Sequence, residues 1–525
     1  MQSKDKELNR NHLTNHFMGL SKSKYTKYCQ CDKLLWLKVF KPELEEVDDA
    51  TKARFERGNI VGDLAMGIYG DFKEAHAEKP DGGLDLAAMT EQTRQWMAEG
   101  VENICEASFI YQGNYCAVDI LRKTADGWSI YEVKSSTYPE YESKPAEIEK
   151  YIPDIAYQKW LLTQCGVNVT GTYLVCLNSD YVRHGELDMD RLFVKIDMAE
   201  MISDELKKVP ANVEQAIKTL ECDTEPTTDL GMQCHKPYPC TFWQFCTRKL
   251  PKPSVFNVYG GSGNGFTFAK KLNCYNEGKV TFDSLREKSI GKIQDLQLAC
   301  TLDNREHIDR KGIRKFLSEL KYPLYFLDFE SMQDAVPQYD NTKPYSQICF
   351  QYSLHIKKSA DAPYEHREYL APSNGCDPRR ELAEQLCRDI PEGVCTLVYN
   401  KTFECTRLKE MAAIYPDLAK HLLDIEANIK DLLVPFRSGC YYVPAMGGSF
   451  SIKSVLPALF PNDPTLNYHN LDTRVQNGGD AMTIFPKIKD MPATEAAATR
   501  EALLRYCELD TWAMVKIWEQ LQSVV

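Results

Sequence analysis

Two stretches of this chain carry carboxylates at the spacing of a strand face. In Tyr115-Cys-Ala-Val-Asp119-Ile-Leu-Arg-Lys-Thr-Ala-Asp-Gly-Trp-Ser-Ile-Tyr-Glu132-Val-Lys134, two strand-like runs flank an Asp126-Gly127 turn signal. Glu132 and Lys134 are two apart, so on a strand they share a face. A tight turn at Asp126-Gly127 sets Asp119 opposite Lys134, and a one-step change sets it opposite Glu132. Either register gathers two acids and a lysine on one side of a hairpin. Such a set suits hydrolysis of a phosphodiester: Asp119 and Glu132 hold a divalent ion, magnesium or manganese, that polarises the phosphate. Lys134 orients the attacking water and offsets charge developing in the transition state. A solvated strand face with one ion pair is the competing interpretation. Downstream, Asp154 and Gln158 are four apart on an expected helix and face the same way.

The second stretch, Tyr322-Pro-Leu-Tyr-Phe-Leu-Asp328-Phe-Glu330, puts two carboxylates on one face of an apolar run. That is costly without a metal or a partner. Asn400 and Glu404 lie where an expected strand runs into a helix. Tyr506 and Asp510 are four apart on a strong helical pattern and face one way. Asp431 is an additional acid candidate. Gly447-Gly-Ser-Phe-Ser-Ile-Lys453 is a Gly/Ser turn entering a helix. It suits phosphate held by backbone amides and Lys453, or plain capping by Ser449 or Ser451.

A third group is made of thiols. Cys234, Cys240 and Cys246 recur with five residues between each pair. A structural zinc site or a cubane iron–sulfur cluster needs four ligands, so one is missing from this stretch.

The elements that must position these groups are those of a mixed α/β chain. At 525 residues, two or three domains are expected. The start of the chain is polar, with no signal-peptide core, and no apolar run is long enough for a bilayer. A cytoplasmic location with mostly reduced cysteines follows. Most of the 19, including Cys105, Cys116, Cys165, Cys349, Cys387 and Cys395, are expected to be small buried hydrophobes. A net charge of −12 gives no global basic footprint for nucleic acid. Local basic stripes exist at Ser21–Lys27 and Arg305–Lys315. Three regions are expected: 1–253, a connector over 254–318, and 319–525. Tyr259–Gly265 is glycine-rich but lacks the Lys-Ser/Thr of a P-loop, so it is taken as a flexible linker. Tyr275–Leu285 has the pattern of a helix–Gly-turn–helix. Strands are expected over 322–330 and 346–355, and a helix over 500–521 with Leu503, Leu504, Met514 and Ile517 inward.

The order Asp119, Glu132-x-Lys134, then a helical Gln158, resembles the PD-(D/E)XK nuclease superfamily in its RecB-like branch. Some members of that branch carry a 4Fe-4S cluster held by one cysteine before the nuclease core and three after it. Tyr28-Cys29-Gln-Cys31-Asp-Lys-Leu-Leu-Trp resembles their N-terminal segment. The resemblance implies the ligand set Cys31, Cys234, Cys240 and Cys246, with Cys29 as the alternative to Cys31 and zinc as the alternative to the cluster. The aromatics Tyr238, Phe242, Trp243 and Phe245 would then shield it. The family's first-helix histidine has no counterpart in Arg57–Ala65, and Asp63 or Glu106 is the substitute. The order Asp328-x-Glu330, Asn400…Glu404, Tyr506…Asp510 resembles the DEDDy, DnaQ-like exonucleases of the ribonuclease-H-like fold, with Glu404 where those proteins usually have Asp. It implies that Asp328, Glu330, Glu404 and Asp510 bind two metal ions, that Tyr506 positions water, and that Asn400 and Lys453 contact substrate. Together the halves resemble a bacterial family known chiefly as a domain of unknown function. The resemblance implies a nuclease of single-stranded DNA, or an RNA exonuclease through its second half, or a binding protein with silent sites.

Overall fold

The strand-like runs on either side of Asp126-Gly127 do pair, and they lie within a larger sheet. The computed structural model describes residues 19–47, 49–261, 265–287 and 289–525. The polar start of the chain and positions 262–264 of the glycine-rich stretch lie outside the described residues. The chain divides into two compact units. One runs to Arg248 and includes Ala335–Pro344; the other comprises Lys249–Asp334 and Tyr345–Val525.

The first unit holds a six-stranded mixed sheet in sequence order: β1 (Lys73–Glu74), β2 (Asn103–Tyr111), β3 (Asn114–Lys123), β4 (Trp128–Tyr138), β5 (Val169–Asn178) and β6 (Phe193–Asp197). Strands β2, β3 and β4 are antiparallel neighbours. β4 and β5 run parallel, which requires a crossover, and helix α4 (Ile152–Gln164) supplies it. Helices α1 (Lys22–Gln30), α2 (Asp32–Phe40) and α3 (Asp49–Ala65) precede the main strands, and α5 (Ser203–Glu221) follows β6. The buried Val209, Val213, Ala216 and Leu220 form the helical stripe that α5 turns toward the core. Ala335–Pro344 is tied to this unit through Arg183. Its N–H donates to Thr342 O at 3.0 Å, and its guanidinium donates to Pro337 O at 2.8 Å.

Asp126-Gly127 is not a two-residue turn. β3 ends at Lys123 and β4 starts at Trp128, leaving a four-residue loop. Ile120 pairs with Tyr131, so the register carries Asp119 to Glu132 and not to Lys134. Gly127 is needed for space: a β-carbon there would lie 2.3 Å from Asn168 O.

The second unit holds a five-stranded sheet in the order β10-β9-β8-β11-β12. The strands are β8 (Leu324–Gln333), β9 (Gln347–Lys357), β10 (Tyr364–Leu370), β11 (Cys395–Val398) and β12 (Ile429–Asp431). β8, β11 and β12 are parallel; β9 runs against β8 and β10 against β9. Helix α6 (Thr402–Ile414) follows β11. Helix α7 (Ile452–Leu459) and the long C-terminal helix α8 (Ala493–Ser523) complete the site-bearing part. α8 packs across β8 and β9 with Leu503, Met514 and Ile517 fully inward; Leu504 is only half-buried.

The expected connector is built into this unit. Val255, Val258, Phe266, Cys274, Phe282 and Leu298 form their own small core. A two-stranded sheet joins β7 (His307–Ile308) to β13 (Tyr441–Tyr442). The helix–Gly–helix is present, with Gly278 at φ 76° between Phe268–Asn276 and Phe282–Leu285. Tyr259, expected in a loose linker, is fixed instead: its N–H donates to Gln297 Oε1 at 2.7 Å. All 19 cysteines are free, and Cys105, Cys116 and Cys349 are buried. Cys165 is exposed, because it caps the C-terminus of α4 at the surface. Among the described residues no helix is long and apolar enough to cross a membrane.

The space argument at Gly127 is testable. Gly127→Ala should destabilise the protein by about 1–3 kcal/mol, the cost of forcing a methyl into a closed contact, read as a lower denaturant midpoint with an unchanged slope.

Candidate functional site

In the first unit, three carboxylates form a rank across three strands. Cys105 pairs with Ile120 and Ala107 with Val118, so Glu106 stands beside Asp119. Asp119 in turn stands beside Glu132. Glu106 has φ 52°, a left-handed conformation rare for glutamate. Asp119 Oδ2 accepts from Val133 N–H at 2.6 Å, which fixes its carboxylate. Lys134 ion-pairs with Glu132 and, at 2.8 Å, with Asp154 Oδ2. Gln158, one turn along α4 from Asp154, donates to Glu132 Oε2 at 2.6 Å and to Asp154 Oδ1 at 3.1 Å. Asp119, Glu132, Lys134, Asp154 and Gln158 therefore meet in one place. Of the two substitutes for a first-helix histidine, Glu106 joins them, while Asp63 on α3 is exposed.

Lys22 is the member that sequence reasoning missed. Its ammonium lies 3.0 Å from both Glu132 oxygens, 3.7 Å from Asp119 Oδ1 and 3.8 Å from Asp154 Oδ1. The segment before α1 is stitched to β3: Leu20 N–H donates to Asn114 Oδ1 at 3.2 Å, and Tyr115 N–H donates to Leu20 O at 2.9 Å. Its only signal was the basic run Ser21–Lys27. Burial pulls the Lys22 and Lys134 ammoniums down, but the surrounding carboxylates outweigh it and hold both protonated. Burial, then Asp119 and Asp154, push Glu132 up to about 7. Burial and Asp119 push Glu106 up to about 7 as well.

In the second unit the acids have far less compensation. Asp328 and Glu330 share the face of β8 that α8 covers, opposite Ser353 and Gln351 of β9. Glu330, Glu404, Tyr506 and Asp510 are buried and Asp328 is half-buried. Donor atoms of Asp328, Glu330 and Cys507 lie within 4.8 Å of one another. Burial comes first, then Asp510, Glu330 and Glu404, in holding Asp328 well above the usual carboxylate range. Glu330 is raised by burial and Asp510, and burial raises Asp510 too. Glu404, in the first turn of α6, is pushed up to about 8, chiefly by burial, and its Oε2 has no hydrogen-bond partner. Lys453 is the cation that Asp328, Glu330 and Asp510 have in common. It is exposed, and its ammonium lies 5.2 Å from the ring centres of both Tyr468 and Tyr506. Tyr506 Oη and Glu330 Oε2 both reach the edge of Gly478, where a β-carbon would lie 3.9 and 3.6 Å from them.

Tyr468 was not foreseen. Its buried hydroxyl donates to Asp510 Oδ1 at 2.5 Å, and nothing in its sequence neighbourhood announces that. Asp431 has a different job: its Oδ1 accepts from Asn400 N–H and Leu433 N–H, both at 2.9 Å. That holds Asn400, exposed and at φ 71°, in the left-handed conformation that Asn tolerates. Ser451 occupies the N-cap of α7 without a side-chain capping bond.

The four predicted thiols come together. Cys31, Cys234, Cys240 and Cys246 line one small pocket with Leu34, Leu37 and Leu230. Cys31 is the N-cap of α2, and Gln30 donates to Gln233 O and Tyr238 O, each at 2.8 Å. Burial pushes all four thiols up, Cys246 to about 11. Cys29 points away, toward Tyr25 and the main core, which leaves Cys31 as the fourth member. Phe242 and Phe245 pack around the pocket. Tyr238 does not: it is 41% exposed, with the Lys150 ammonium 5.7 Å over its ring.

Residues 325–451 match a domain family described only as a domain of unknown function, DUF2779. The match takes in Asp328, Glu330, Asn400 and Glu404 but ends before Lys453, Tyr506 and Asp510. An uncharacterised protein of Mycoplasma pneumoniae is 26% identical over 292 residues, 50% of this chain and 43% of its own length. One of Ureaplasma parvum is 29% identical over 222 residues, 38% of this chain and 31% of its own. The chain thus spans less than half the length of these relatives. No solved structure matches.

The raised acids set a pH dependence for the metal-free protein. Glu404 holds its proton from its ordinary 4.5 up to about 8 in the fold, so the folded state binds more protons than the unfolded one across that window. Stability then falls as pH rises through it. In chelator, the thermal midpoint should drop between pH 5 and 8, and Asp328→Asn should flatten that slope by removing one of the mutually repelling charges.

Proposed function

We propose that the protein is a metal-dependent phosphodiester hydrolase of nucleic acid with two hydrolytic sites, acting preferentially on single-stranded DNA. The observation that carries this is the acid cluster Asp328, Glu330, Glu404 and Asp510. Carboxyl groups raised by burial and by one another, with Lys453 beside Asp328, Glu330 and Asp510 and Arg407 beside Glu404, are costly as pure architecture. The same set is what a pair of magnesium or manganese ions requires, and the unpartnered Glu404 Oε2 fits that use. Bound there, the ions would supply Lewis acidity toward a phosphate. The chain's own groups supply the rest. Tyr506 Oη, beside Glu330, positions a water. Lys453 holds a phosphate oxygen from the solvent side, and Tyr468 fixes the Asp510 carboxylate through its hydroxyl.

In the first unit Glu106, Asp119 and Glu132 would hold the ion, and Lys134 would orient water. The sheet carrying this rank, with α4 crossing from β4 to β5, supports the PD-(D/E)XK-like reading. The Asp328/Glu330 strand at the centre of its sheet, with Tyr506 and Asp510 on the helix covering it, supports the ribonuclease-H-like one. A groove lined by Lys27, Lys150, Lys236 and the exposed Tyr238 supports nucleic acid as substrate despite the net negative charge. Lysines contact phosphates, and an exposed tyrosine stacks a base. Lys22 also favours a second reading for this unit, binding without turnover, because it already neutralises carboxylates that an ion would need.

For the thiol pocket we favour the 4Fe-4S cluster. Zinc at about 2.3 Å from four sulfurs holds them about 3.8 Å apart. Among the described residues, the donor triads within 4.8 Å of one another include none of these cysteines.

Two outcomes are expected. With end-labelled DNA and RNA oligomers and magnesium or manganese, Glu132→Gln or Lys134→Ala should remove one activity and Asp328→Asn another, each by a factor of about 100 or more. If no variant changes hydrolysis of any oligomer, the catalytic reading fails. Protein purified without oxygen should be brown and contain iron and sulfide. Cys31→Ala should lose the colour while Cys29→Ala keeps it, and a colourless zinc protein would replace the cluster with zinc.

A further inference from the structure

A second set of metal-ligand side chains lies on the same face of the same sheet as the acid cluster, further along β9 and out onto β10. β9 and β10 pair His355 directly with His366. Their rings are 4.6 Å apart. Glu508 projects from α8 onto this pair, with Oε1 3.9 Å from His366 Nδ1. It lies two positions before Asp510, about 200° around the helix, so the two acids serve different sites. One donor atom each from His355, His366 and Glu508 lie within 4.8 Å of one another.

We propose that His355, His366 and Glu508 form a separate site for a first-row transition ion such as zinc, with a coordination position open to the neighbouring cavity. This inference does not depend on the nuclease reading. Its first support is the hydroxyl relay behind the two rings. His355 Nδ1 is 2.8 Å from Thr511 Oγ1, Thr511 Oγ1 is 2.7 Å from Ser353 Oγ, and Ser353 Oγ is 2.9 Å from His366 Nε2. Thr511 donates its own proton to Glu508 O at 3.1 Å. Its oxygen therefore accepts from both His355 Nδ1–H and Ser353 Oγ–H. Ser353, its proton spent, accepts from His366 Nε2–H. The relay leaves His355 Nε2 and His366 Nδ1 bare, each carrying a lone pair, next to a carboxylate. Two lone pairs and a carboxylate oxygen then converge on one point, an arrangement that a metal ion satisfies. Ligating histidines ordinarily have their other nitrogen held in this way.

The carboxylate is oriented likewise. Arg505 holds Glu508 Oε2 at 3.2 Å and leaves Oε1 toward His366. Two imidazoles and one glutamate make the three-ligand set of zinc sites that keep a fourth position for water or substrate. That position has somewhere to open: a cavity of about 400 Å³ lined by His355, Thr465, Leu471, Arg505, Glu508 and Trp512. The competing arrangement is a protonated His366 paired with Glu508, which needs no metal.

Cobalt(II) titration of chelator-stripped protein in saturating magnesium decides between them. Cobalt held by the acid clusters survives loss of His366, and cobalt in the thiol pocket is marked by thiolate charge-transfer absorption. The site should show as one equivalent of cobalt whose ligand-field bands lack that absorption and which zinc displaces. His366→Ala should abolish this equivalent and leave any thiolate-bound cobalt unchanged. His355 is buried and its loss risks the fold, so Glu508→Gln, on a half-exposed residue, is the companion variant. Ser353→Ala should weaken cobalt binding by about 10- to 100-fold through loss of ring orientation. Thiolate-free cobalt that is absent from the wild type, or retained in full by folded His366→Ala and Glu508→Gln, would overturn the proposal in favour of the ion pair.

Discussion

A carboxylate on the buried face of an apolar sheet must find a positive charge or give up its own. That constraint organises both halves of this protein, and they meet it differently. In the first unit two lysines, one from β4 and one from the helix before the sheet, are threaded among Asp119, Glu132 and Asp154. In the second unit a single exposed lysine faces Asp328, Glu330 and Asp510, and the shortfall appears as raised protonation. The first arrangement carries most of its own compensation, whereas the second meets its charge chiefly by holding protons.

The surrounding architecture follows from keeping these groups in place. Val133 N–H fixes Asp119, Tyr468 fixes Asp510, and the Asn400 and Leu433 amides hold Asp431. Each such bond satisfies a polar group that burial would otherwise penalise. Each also removes orientational freedom from the side chain it holds. The connector that looked like a spacer contributes likewise, since Gln297 and Gln294 hold the backbone at Tyr259.

What could be read in the sequence was what depends on short spacing. Asp328 and Glu330, Glu132 and Lys134, Asp154 and Gln158, and Tyr506 and Asp510 are each set by strand or helix periodicity, and each pair faces as expected. The four thiols came from resemblance and meet in one pocket. Lys22 and Tyr468 were invisible because they reach their sites by tertiary contact, from segments with no motif. The hairpin register was legible only to within one step. Asp126-Gly127 has the residues of a tight turn, but Gly127 is there to let Asn168 approach, a reason that lies 41 positions away. Tyr238 looked like packing beside the cysteines, yet its ring is exposed beside Lys150.

Helix α1 carries Lys22 at its first residue and Gln30 at its last. One end sits in the carboxylate rank and the other is bonded to the segment that bears Cys234 and Tyr238. Nine residues of α-helix span about 13 Å and are stiff along their axis. The separation of ammonium and thiol pocket is therefore fixed by helix pitch, as by a strut. The same short helix thus ties the position of a positive charge among the carboxylates to the segment that carries the thiols.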